Sequence, residues 1–193
     1  MLHIICIIIV LAVVTLIAKY LNRDRHGRIF WTVLSAMFVI YIMGYLYLVF
    51  FSRECGSKSR FSLVPFRSYV HLFDKSLDSK KYATGFKAIG LEAESPAVGM
   101  ILNILLYYPL GYLLPILFPK LKPKNVILIG CLCSIATEAT QYLLKMGWCE
   151  TDDVIHNTLG TAIGVWVWLW QSKRLNARRS AATETAEQKY DQN

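Results

Sequence analysis

The sequence predicts an all-α protein, a polytopic transmembrane helix bundle of about five spans with a long amphipathic outer loop. Three observations predict it. Of 193 residues 55% are apolar and the mean hydropathy is +0.40, more apolar surface than a soluble domain of this size needs. The apolar residues come in five long blocks. The polar residues inside the last three blocks fall on single helical stripes.

Residues 2–18 carry no charged side chain apart from what His3 can acquire. A signal peptide needs a basic run before its apolar stretch. Here Lys19, Arg23, Arg25 and Arg28 follow the block instead, so it reads as a retained helix. Residues 29–51 and 96–119 are uncharged, 126–144 hold only Glu138, and 154–170 hold only His156 near the start. Each block is close to the roughly 20 residues that cross a ~30 Å hydrocarbon core. Pro109 and Pro115 in the third block are expected kink sites. Trp166, Trp168 and Trp170 suit an interfacial belt.

The net charge of +8 does not point to nucleic acid. Lys120, Lys122 and Lys124 fill one short connection, and Lys173, Arg174, Arg178 and Arg179 follow the last block. Short basic segments beside span ends are the positive-inside pattern. Residues 145–153, with one Lys and three acids, suit the outer side. The expected topology places the N-terminus outside and the C-terminus in the cytoplasm. It divides the chain into a membrane hairpin (1–51), an extracellular or interfacial loop (52–96), a three-helix membrane core (97–170) and a disordered cytoplasmic tail (171–193). In the loop, Phe66, Tyr69, Val70, Phe73 and Leu77 recur at helical spacing, which fits both amphipathic helices at an interface and a small globular cap packed on the spans. Cys6, Cys131 and Cys133 lie inside spans, where Cys acts as a small hydrophobe. Cys55 and Cys149 both face outward in this topology, and a disulfide between them is the minority expectation.

The polar stripes carry the chemistry. Asn103, Tyr107 and Gly111 are spaced by four. So are Gly130, Ser134, Glu138 and Tyr142, with Gln141 alongside. Asp153, Asn157, Gly160 and Gly164 form a third stripe, with Asp152 and His156 beside it. Polar side chains in lipid normally face the bundle interior or a water-filled cavity, and Gly160-x-x-x-Gly164 is a small-residue packing pair. The three helices are therefore expected to pack face to face. In the expected topology their polar groups meet at one depth, in the outer leaflet. A simpler origin competes for each group. Thr151 is a good N-cap, and Asp152 and Asp153 complement a helix dipole. Asn103, Gln141 and Asn157 could be interhelical glue worth ~1 kcal/mol each. Glu138 resists this reading, because a carboxylate within a span needs a partner or a raised pKa.

Glu138, Asp152, Asp153 and Asn157 offer hard oxygen ligands, but their spacing does not single out a metal, and no metal or cofactor is expected. Two carboxylates in different environments can divide acid and base roles, which makes Glu138 and Asp153 the catalytic candidates. No Walker loop, H-E-x-x-H or serine nucleophile motif accompanies them, so a non-enzymatic role is favoured.

Four motifs resemble the VanZ-like family of bacterial membrane proteins. They are the run from Arg60 to Pro65-Phe66, the Asn103…Pro109-Leu-Gly111 helix, Ser134-x-x-x-Glu138-x-x-Gln141, and Asp152-Asp153…Asn157…Gly160. Many relatives carry an Arg shortly before the paired acids. Trp148 stands near that position here; if that Arg pairs with an acid elsewhere, Lys145 or an outer-loop Arg such as Arg53 or Arg60 must substitute, and otherwise the site works differently in this chain. The resemblance implies a bacterial cell-membrane location and a link to glycopeptide resistance, chiefly to teicoplanin. The binding set expected from motifs and stripes together is Asn103, Glu138, Gln141, Asp152, Asp153, Asn157 and Arg60. The expected partner is a membrane lipid or lipid-linked cell-wall precursor. The other readings are an intramembrane enzyme acting on a lipid-linked substrate and a structural subunit of a larger complex.

Overall fold

A computed structural model describes residues 28–51, 60–62, 65–66, 69, 96–145 and 148–191. The first apolar block, Cys55 and most of the outer loop lie outside these residues. Helix α1 (Arg28–Leu46) continues into the wider turns of Tyr47–Phe51. It is followed by strand β1 (Arg60–Ser62), helices α2 (Pro96–Leu117) and α3 (Pro123–Leu143), strand β2 (Trp148–Glu150) and helix α4 (Thr151–Asp191).

The body is all-helical. Phe30–Phe50, Ala97–Leu117 and Pro123–Leu143 are long and apolar enough to cross a membrane. The start of α4 is not among them, because His156, Asn157, Thr158, Thr161 and two glycines dilute its apolar content. Pro109 and Pro115 both lie inside α2. α3 begins with Pro123 at its first turn, where the missing N–H costs no intrahelical bond.

The packing is inside out relative to a soluble protein. Val39, Ile40, Met43, Leu128, Leu132, Leu143 and Trp166 are exposed, while Ser134, Glu138, Gln141, Asp152, His156, Asn157 and Thr161 are buried. That distribution suits lipid outside and hydrogen-bonding partners inside. α2 and α4 run parallel at close range. A Cβ at Gly160 would collide with the Ile104 carbonyl, and one at Gly164 with the Tyr108 carbonyl, so only glycine permits this approach. α3 runs antiparallel to both, with Gly130 against Thr161.

Three features depart from the sequence reading. β1 and β2 form a short parallel pair, with Arg60 opposite Trp148 and Ser62 opposite Glu150. It ties the start of the outer loop to the segment before α4. Next, the stretch from Gln171, expected to be disordered, is helical to Asp191. It lacks Pro and Gly and is rich in Ala, Arg, Glu, Gln and Lys, residues that favour helix without tertiary help. Third, α1, to which the sequence reading assigned no polar stripe, supplies polar contacts. Tyr41 Oη donates to the Leu106 carbonyl (3.0 Å), and Tyr45 Oη pairs with Tyr107 Oη (2.8 Å) and with Thr137 Oγ1.

Candidate functional site

The site lies at the end of the bundle where α2 and α4 begin and where α1 and α3 finish. Asn103 is in the second turn of α2, and its Nδ2 donates to Asp153 Oδ1 at 2.7 Å. Asp153 lies in the first turn of α4, where the helix dipole favours a carboxylate. One turn on, Asn157 Nδ2 donates to Ser134 Oγ at 2.8 Å. Two residues one turn apart on α4 thus reach two different helices, Asp153 to α2 and Asn157 to α3.

Glu138 is buried, and its Oε2 accepts from the backbone N–H of Glu150 at 3.3 Å. This bond joins α3 to β2. Gln141, one turn further, donates from Nε2 to the Val49 carbonyl at 3.2 Å. That carbonyl belongs to the widened turns closing α1.

Asp152 faces the outer-loop segment. It is 2% exposed, and its Oδ1 accepts from the Phe66 N–H at 2.5 Å. Phe66 has a φ of 63°, a left-handed conformation costing roughly 1–2 kcal/mol in a non-glycine residue, and the charge-assisted bond opposes that cost. Tyr69 Oη lies 3.1 Å from His156 Nε2. The strand pair and these two contacts dock the segment from Arg60 to Tyr69 over the polar end.

The structure therefore brings Asn103, Glu138, Gln141, Asp152, Asp153 and Asn157 to one end. It also brings the backbone of Arg60 there, opposite Trp148. Among the described residues, no group of three or more His, Cys, Asp or Glu could hold a metal ion. Cys149 carries a free thiol. Burial, with the Glu138, Asp153 and Glu150 carboxylates nearby, pushes that thiol up to about 11. Sequence reasoning missed Tyr45, Thr137 and Tyr69. The signal for Tyr45 was its i, i+4 relation to Tyr41, since a buried tyrosine hydroxyl needs a partner.

Three helices long and apolar enough to cross a membrane, large apolar side chains on their outer faces and buried amides and carboxylates at one end together define a membrane protein. The family model for VanZ/LLP1 matches residues 38–172. That span covers α1 from Phe38, both strands, α2, α3 and α4 as far as Ser172, and the chain belongs to the VanZ/LLP1 family. Neither a curated protein nor a solved structure is significantly similar to it.

Proposed function

We propose that this protein is a multi-pass component of the bacterial cell membrane whose polar end binds a lipid head group or lipid-linked wall precursor. Through that binding it contributes to glycopeptide resistance or envelope homeostasis. In this reading the chain has about five spans, with residues 2–18 and the first half of α4 as the additional two. Its N-terminus and polar end face outward, and its C-terminus is cytoplasmic.

One observation carries the reading. Asn103, Glu138, Gln141, Asp153 and Asn157 come from three separate helices and share one end of the bundle, with most of their side chains taken out of solvent. Stability alone does not account for that concentration. Interhelical hydrogen bonds in membranes are worth only ~1 kcal/mol each, and burying a carboxylate costs several. Costly groups gathered in one place mark a ligand path or site. The resistance link rests on the family resemblance.

The test uses Glu138→Gln and Asp153→Asn in cells. At normal expression, both variants should lose the teicoplanin phenotype that the wild-type chain confers. Unchanged susceptibility sinks the site. Orientation is tested with Asp153→Cys in a background without native cysteines. Labelling by a membrane-impermeant thiol reagent added outside is expected, and labelling only from the cytoplasmic face overturns the topology.

A further inference from the structure

We propose, resting on the lipid-site reading above, that the polar end selects a head group bearing hydrogen-bond donors, a hydroxyl or an ammonium, over a bare phosphate. The inference comes from buried side-chain atoms that make no hydrogen bond: Gln141 Oε1, Asn157 Oδ1 and His156 Nδ1. Their residues are only 1%, 3% and 2% exposed. A fourth such atom, Trp168 Nε1, lies further along α4, away from this end.

The orientation of Gln141 follows from chemistry. The Val49 carbonyl can only accept, so the amide nitrogen must face it. Oε1 is then left as an acceptor with two lone pairs. Asn157 gives its Nδ2 to Ser134 Oγ, which leaves Oδ1 as a second acceptor. His156 Nδ1 takes either role, depending on the tautomer that Tyr69 selects. Two acceptors therefore await donors. A buried acceptor left unsatisfied is costly, so a ligand that supplies O–H or N–H recovers an interaction that a ligand lacking donors does not.

The experiment is thermal unfolding of the purified full chain in detergent with one added lipid at a time. The probes are a diglucosyl diacylglycerol, a phosphatidylethanolamine and a phosphatidylmethanol (an anionic phosphodiester without O–H or N–H) with the same acyl chains. The sugar lipid, the ethanolamine lipid or both should raise Tm by about 3 °C at tenfold excess over Kd, and phosphatidylmethanol should not. The two donor arms distinguish hydroxyl from ammonium. Gln141→Met removes one acceptor at similar volume and should abolish the shift. If that variant does not fold, Asn157→Leu carries the same test. An equal or larger shift with phosphatidylmethanol overturns donor selectivity and leaves the lipid site standing. A shift that survives in the folded variants overturns the assignment to these acceptors. No shift with any probe overturns both the inference and the lipid site beneath it.

Discussion

Toward one end of the bundle, α1, α2 and α4 meet through Phe30, Leu34, Leu113 and Ile116, with Val167 and Trp168 packed against them. Toward the other end the same helices, joined by α3, meet through Asn103, Gln141, Asp152, Asp153 and Asn157. The first end is joined by shape and by one hydrogen bond between α2 and α4, from Tyr112 Oη to Gln171 Oε1 (2.7 Å). The second is joined by hydrogen bonds and buries groups that are costly to bury. One set of helices runs through both ends, so fold requirements alone do not dictate the polar one. The apolar end shows what suffices to assemble these helices, and the polar end shows what was added.

Four measurements break or sharpen that contrast. The largest effect is expected between the two ends, where glycine sets the spacing. Gly160→Leu drives a side chain into the Ile104 carbonyl and should cost about 3 kcal/mol or more, seen as loss of the folded peak in detergent chromatography. Normal folding of that variant would show that α2 and α4 do not pack this closely. Next, Asp152→Ala removes the carboxylate that holds the Phe66 N–H. A cost of ~2 kcal/mol is expected, together with faster hydrogen exchange around residues 60–69. Unchanged exchange would mean that the strand pair alone docks the segment.

Smaller still is the effect of Asn157→Leu on stability, expected within about 1 kcal/mol of wild type while the teicoplanin phenotype is lost. A large loss of stability would make the polar end structural glue and erase the contrast. The least perturbing test is the native thiol. A Cys149 pKa of about 11, against 9.0 for an ordinary thiol, means the protonated form dominates at neutral pH. Thiolate-dependent alkylation in the folded protein should be slow at pH 7.5, rise about tenfold per pH unit, and level off only near pH 11. A plateau near pH 9 would place Cys149 in solvent and away from the carboxylates of the polar end.

Much of this arrangement was legible in the sequence, because helical periodicity is a long-range signal. The stripe through Gly130, Ser134 and Glu138 and the stripe through Asp153, Asn157 and Gly160 each fixed one face. Once two faces are known, the small residues show how near the helices come. The strand pair was not legible, since three residues such as Arg60–Ser62 are too few to display alternation. The Tyr45 bonds were also hidden. Its ring reads as apolar, and the partner of its hydroxyl depends on the packing of α1 against α2 and α3. The helical course of α4 beyond Gln171 was missed because apolar period was the criterion, and this stretch is helical through backbone propensity instead.

Helix α4 contains 41 residues, which at 1.5 Å per residue makes a rod of about 60 Å. Its first turn carries Asp152 and Asp153 inside the polar end, and no Pro or Gly interrupts it after Gly164. Such a rod acts as a lever with the polar end as its short arm. A tilt of about 5° there displaces the far tip by roughly 5 Å, a distance comparable with one helical turn. Movement at one end and position at the other are thus mechanically joined by a single uninterrupted segment of backbone.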